Sequence, residues 1–177
     1  MRLFFAVAAD GRVREAAAGL ISRLRPAAGD CRWVDPRDMH VTLRFLGERA
    51  PESLPEAAAR LRETARRSAP FELVFGALGA FDDLADPRVL WLGVREGRER
   101  LAELALALGY DEPRPYNPHL TLGRRRGAAA AAGLSAALRA EPALDLRRPV
   151  EDLCLYASRP APFGHAYEIL ERARLGG

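Results

Sequence analysis

Short apolar runs of strand length recur along this chain, at 3–8, 40–46, 71–78, 89–94, 119–122, 153–157 and 167–170, and most are closed by Gly or Pro. Amphipathic stretches lie between them. Val13, Ala17, Leu20 and Leu24 follow helical spacing, as do Leu54, Ala58, Leu61 and Ala65, then Leu101, Leu104, Ala105 and Leu108, with a weaker set at Leu134 and Leu138. Several connections are short enough for antiparallel neighbours, and no Gly-rich first turn of a dinucleotide fold is present. The pattern predicts an α+β fold. The alanine run at 128–132 precedes Leu134 and Leu138 and reads as helix rather than linker.

At 177 residues the chain suits one domain, or two small lobes sharing a core, and no linker divides it. We therefore expect residues 1–177 to form a single two-lobed domain. No run approaches the roughly 18 apolar residues of a transmembrane helix. The opening Met1-Arg-Leu-Phe-Phe-Ala-Val-Ala-Ala-Asp10 has the outline of a signal peptide, but its apolar run is short and reads better as a first strand turning at Asp10-Gly11. Cys31 and Cys154 are far apart and form no CxxC pair, which fits a reducing cytoplasm.

All basic residues are arginine and lysine is absent. Without lysine there is no P-loop, no Schiff base and no lysyl-nucleotide intermediate, so an ATP-driven ligase of that type is excluded.

A strand with His-x-Thr-Leu occurs twice, at His40-Val-Thr-Leu43 and His119-Leu-Thr-Leu122. The chain has only three histidines and three threonines, so the coincidence is informative. On a strand, residues i and i+2 share a face, so each motif sets an imidazole beside a hydroxyl while its aliphatic residues enter a core. Two lobes, one from each sequence half, would bring the motifs together. One neutral imidazole could then accept a proton from water, and the other, protonated, could protonate a leaving oxygen while the hydroxyls hold a phosphoryl group. That is the requirement for opening a cyclic phosphodiester without a metal. Zinc is disfavoured because no two histidines show short ligand spacing.

The chain resembles the RNA 2',3'-cyclic phosphodiesterases, or bacterial and archaeal 2'-5' RNA ligases, of the two-histidine phosphoesterase superfamily. The resemblance rests on Met1-Arg-Leu-Phe-Phe5, Arg32-Trp-Val34, Met39-His-Val-Thr-Leu-Arg-Phe-Leu-Gly-Glu48, Asn117-Pro-His-Leu-Thr-Leu-Gly-Arg124 and Leu155-Tyr-Ala-Ser158, then Gly164 and Tyr167. It implies a bilobal α+β fold in which two antiparallel sheets face a central cleft, with helices outside. It also implies metal-independent, cofactor-free hydrolysis of an RNA 2',3'-cyclic phosphate end to a 2'-phosphate, with reversible 2'-5' ligation as the back reaction. His40 would be the proton donor and His119 the proton acceptor, with Thr42, Thr121 and Arg124 binding phosphate. The residues alone leave the two histidine roles interchangeable. We expect as partner RNA with a cyclic phosphate end or a small cyclic nucleotide, no membrane, and a chain acting as a monomer. Alternatives are another small cyclic phosphate or a 2',5'-linked oligonucleotide as substrate, and a non-catalytic module that captures RNA ends.

Strict alternation places Arg124 opposite His119 and Thr121, so it reaches the site only if the strand bulges or ends at Gly123. Arg44 shares the alternation face of His40 and Thr42, as a phosphate contact or a solvated strand-end charge. Trp33, Tyr116, Phe5 and Tyr167 are candidates for stacking on a base. His165 has no threonine partner and reads as a loop residue.

Overall fold

The first apolar run becomes β1 (Arg2–Ala8) and ends where Asp10 begins α1 (Gly11–Leu24). The Asp10 carboxylate accepts from the Val13 amide at 2.9 Å, a cap that contributes about 1 kcal/mol. The structure is a computed structural model that describes residues 1–81, 85–127, 131–161 and 164–177. After α1 come β2 (Cys31–Trp33), β3 (His40–Glu48), α2 (Leu54–Arg66), β4 (Phe71–Phe81), β5 (Val89–Glu96), α3 (Arg98–Ala107) and β6 (His119–Arg125). The chain closes with α4 (Ala131–Ala140), β7 (Leu146–Val150), β8 (Asp152–Ala161) and β9 (Gly164–Arg174). All seven predicted strands and all four predicted helices are present. The first residues of the alanine run, 128–130, lie outside the described residues. Two short strands, β2 and β7, carry too little apolar periodicity to be read from sequence.

Every strand pairing is antiparallel. One sheet runs β7-β4-β5-β6 and the other β3-β1-β8-β9. They meet through a single pair, Val41 with Leu120, so the two expected sheets are hydrogen-bonded into one. Beyond that pair β3 leaves β6, and β2 takes its place along the same strand. Helices α1 and α4 pack together over the β4 and β7 side, whereas α2 lies on β8 and β9 and α3 on β3 and β5.

The lobes are not the two halves of the sequence. β4, from the first half, pairs with β5 of the second, and β8, from the second half, pairs with β1 of the first. The first half thus sends β4 into the lobe of β5 and β6, and the second half sends β8 and β9 into the lobe of β1 and β3, an exchange that corrects the half-per-lobe expectation. α2, the helix before β4, packs on β8 and β9. An apolar core behind both sheets includes Phe5, Val7, Val41, Leu43, Leu90, Leu92, Leu120 and Leu122. A second, smaller cluster of Phe4, Ala6, Ala8, Cys154 and Tyr156 covers the opposite, cleft-facing side of β1 and β8.

Candidate active site

His40 and His119 open β3 and β6, the two strands that join the lobes. Their flanking residues Val41, Leu43, Leu120 and Leu122 are buried in the core, which turns His40, Thr42, His119 and Thr121 to the cleft. The two imidazoles are held in the same way. Nδ1 of His40 lies 2.7 Å from the Asp38 carbonyl, and Nδ1 of His119 lies 2.7 Å from the Asn117 carbonyl. A carbonyl only accepts, so Nδ1 carries the proton in both rings and Nε2 is left to exchange protons in the cleft. Asn117 is itself positioned by Arg98, whose guanidinium donates to the Asn117 side chain at 3.3 Å and to the Val94 carbonyl at 2.9 Å.

Burial pushes His40 down to about 4, against the opposing effect of the Asp38 carbonyl and with a smaller contribution from the nearby His119 charge. His119 is also lowered, first by burial, with the Asn117 carbonyl opposing and the Arg124 charge adding to the depression. Both rings are neutral in the free protein at neutral pH. The antiparallel Val41–Leu120 pair sets both histidines on the same face of the joined sheets.

The same irregularity follows each motif. In the β1–β3 ladder Phe5 pairs with Arg44 but Ala6 pairs with Thr42, leaving Leu43 as an extra residue. In the β5–β6 ladder Leu90 pairs with Gly123 but Trp91 pairs with Thr121, leaving Leu122 extra. Each bulge reverses the alternation beyond it. Arg124 pairs with Val89, two residues from Trp91, and therefore faces the cleft with Thr121 and His119. Gly123 makes the bulge possible, since a Cβ there would lie 2.9 Å from Trp33 and 3.0 Å from the Cys31 sulfur.

On β3 the bulge has the opposite consequence for Arg44. It pairs with core-facing Phe5, and its guanidinium donates to the Leu108 carbonyl at 2.7 Å and approaches Asp111 at 3.7 Å. Arg44 thus secures the end of α3 and is no phosphate contact, because strict alternation fails at Leu43. Phe45 pairs with Phe4 and takes the place in this lobe that Arg124 takes in the other. It is 65% exposed, which singles it out among the large apolar side chains of the cleft.

The two sides of the cleft differ in chemistry. Around His40 the rings of Phe4, Tyr156 and Tyr167 approach to 4.8, 5.4 and 5.2 Å. Around His119 stand Phe81 at 4.7 Å and Trp91 at 6.4 Å, with Arg124 beyond. The Trp91 ring crosses Gly79 and Gly93, where a Cβ would come within 2.2 and 2.9 Å of it. Of the stacking candidates only Tyr167 lines the cleft. Phe5 is fully buried, Trp33 packs against Gly123 with Arg25 over its ring, and the Tyr116 hydroxyl donates to the Thr42 carbonyl at 2.8 Å. Phe45, Phe81 and Trp91 escape a reading of the sequence because strand aromatics look equally like core. His165 lies in β9 rather than a loop, with Nδ1 3.1 Å from the Ser158 hydroxyl, because the β8–β9 ladder extends to the Pro160–His165 pair.

Residues 13–160 match the family model for the 2'-5' RNA ligase superfamily. The chain belongs to this superfamily. A Thermus thermophilus relative named RNA 2',3'-cyclic phosphodiesterase is 36% identical over an alignment spanning 100% of this chain and 91% of that protein. An Archaeoglobus fulgidus protein of the same name is 38% identical, covering 70% of this chain and 72% of its own length. The superfamily fold is matched over nearly the full length. The crystal structure of TT0787 of Thermus thermophilus superposes with a TM-score of 0.82 at 34% identity, covering 100% of this chain and 99% of that one. Escherichia coli LigT complexed with 3'-AMP gives a TM-score of 0.79 at 28% identity, covering 99% and 98%. No helix among the described residues is long and apolar enough to cross a membrane.

Proposed function

We propose that this chain opens 2',3'-cyclic phosphates on RNA ends to 2'-phosphates, with residues 1–177 acting as one two-lobed unit. The reading is carried by the matched pair of imidazoles, each tautomerically set by a backbone carbonyl 2.7 Å from Nδ1 and each beside a threonine on the same strand face. His119 accepts a proton from water through Nε2 as the water oxygen attacks phosphorus. The bond from phosphorus to the 3' oxygen breaks, and His40, protonated at Nε2, donates to that oxygen, leaving a 2'-phosphate and a free 3' hydroxyl. Thr42, Thr121 and Arg124 hold the non-bridging oxygens and stabilise the charge that builds on them. A 5' hydroxyl in place of water would give the reversible 2'-5' joining, with no nucleotide cofactor. Phe45 and Tyr167 supply flat apolar surface for the adjoining base.

The relatives named RNA 2',3'-cyclic phosphodiesterase support this substrate, as does the arginine facing the cleft. Free thiols at Cys31 and Cys154 support a cytoplasmic setting. Because both histidines come from one chain, a monomer suffices.

The test is incubation, in the presence of EDTA, with a short RNA ending in a 2',3'-cyclic phosphate and with 2',3'-cyclic AMP. A 2'-phosphate product is expected; a 3'-phosphate would reverse the leaving-group assignment, and binding without turnover would make this an RNA-end capture module. The pH dependence is a sharper check. Turnover needs one ring protonated and the other neutral, and both are depressed below the ordinary 6.5. The singly protonated state of the free protein is therefore most populated below pH 6.5, so kcat/KM should form a bell centred there and fall as pH rises through neutrality. An anionic substrate raises both rings, so the kcat profile should lie at higher pH. A kcat/KM optimum above about pH 7.5 would contradict this.

A further inference from the structure

Strand β2 places a second arginine beside Arg124. In the β2–β6 ladder Arg32 is the direct partner of Arg124, between the pairs Cys31–Arg125 and Trp33–Gly123. Cys31 and Trp33 crowd the core side of Gly123, so Arg32, between them, shares the cleft face of Arg124. Further backbone bonds hold this register: Val34 donates to Leu122 and Arg126 donates to Asp30, at 2.9 and 2.8 Å.

Like charges directly opposite on a β-ladder are destabilising. Arg32 and Arg124 are both exposed, and neither has a carboxylate partner among the described residues. Many arginines elsewhere are matched, among them Arg23 with Glu141 at 2.9 Å and Arg172 with Asp152 at 2.8 Å. The pair stands where β3 has left β6 and β2 has taken its place. On the opposite wall the Tyr167 hydroxyl is raised by burial and by Asp38, while the charges of Arg124, Arg32 and Arg2 pull it down.

We infer that Arg32 binds the internucleotide phosphate on the 5' side of the cyclic phosphate, making this a site for oligonucleotide ends rather than for mononucleotides. The inference rests on the reading of the site given above. Arg124 serves the reacting phosphate, and Arg32 lies one strand spacing further along the wall, about 5 Å, comparable to the step between successive phosphates of an RNA strand. A mononucleotide 2',3'-cyclic phosphate has no group to reach it.

The experiment compares kcat/KM of the unmodified protein and Arg32→Ala on a five-nucleotide RNA with a cyclic phosphate end and on 2',3'-cyclic AMP. The ratio of the two values, oligonucleotide over mononucleotide, should fall by about tenfold in Arg32→Ala, chiefly through KM, with the salt dependence for the oligonucleotide reduced by about one phosphate contact. Arg32→Lys should recover part of the ratio, which a merely structural role would not predict. An unchanged ratio, whether both rates fall together or neither does, would overturn the inference while leaving the reading of the site intact. Failure of the unmodified protein to open either substrate would overturn both.

Discussion

Replacing His119 with alanine should lower kcat/KM for cyclic phosphate opening by about 10²- to 10⁴-fold, and His40→Ala should do the same. Neither loss should come from unfolding, because both side chains face the cleft and their strands are held by buried Val41, Leu43, Leu120 and Leu122. Circular dichroism and a thermal melt check that point. The loss in the double variant should be far less than the product of the two single losses, since the acid and base act in one step. The pH profiles then separate the roles. A base must be neutral, so removing His119 should abolish the acidic limb of the bell and leave activity flat toward low pH. An acid must be protonated, so removing His40 should abolish the alkaline fall. The reverse pattern would exchange the assignments, and unchanged activity in either variant would sink the paired mechanism.

Arg124→Ala should lower kcat/KM by about 10²- to 10³-fold, the cost of losing a charged donor to the phosphoryl oxygens. Lysine at this position should restore only part, because it keeps the charge and loses the planar fork. The substitution has a second readout. The Arg124 charge depresses His119, so its removal raises that ring and should move one limb of the kcat/KM bell to higher pH. If the rate falls with no movement of the limb, Arg124 does not sit over His119. If neither changes, the bulge at Leu122 does not deliver Arg124 to the reaction.

These two expectations differ in how they could be reached. The histidine pair is legible in the sequence because strand alternation is a local rule: His-x-Thr between aliphatic residues has its polar pair on one face wherever the strand lies. Arg124 and Arg44 show where that rule ends. Each follows a motif by a few residues, and by alternation Arg44 belongs with the site and Arg124 does not. The structure exchanges them, because one unmatched residue in each ladder, Leu43 or Leu122, turns the strand over. A bulge depends on what the partner strand offers, here Phe5 and Leu90 in the core, and a single strand carries little record of its partner.

The aromatic residues are ambiguous for a related reason. Phe5 and Phe45 are both apolar strand residues, yet one is fully buried and the other 65% exposed in the cleft. Burial is set by which helix covers which sheet. That in turn depends on the exchange of β4 and β8 between lobes, which no periodicity announces. Arg32 has no chemical signature at all, since β2 is three residues long and its significance is its partner.

The sequence by itself determined the element types, the absence of lysyl chemistry and the two imidazole–hydroxyl pairs, because propensity, composition and alternation act within a few residues. Only the tertiary structure decided that the pairs share one cleft, that Arg124 faces it in place of Arg44, and that paired arginines stand on one wall alone. Those outcomes depend on register between strands distant in the chain, and register is settled by packing across the whole core.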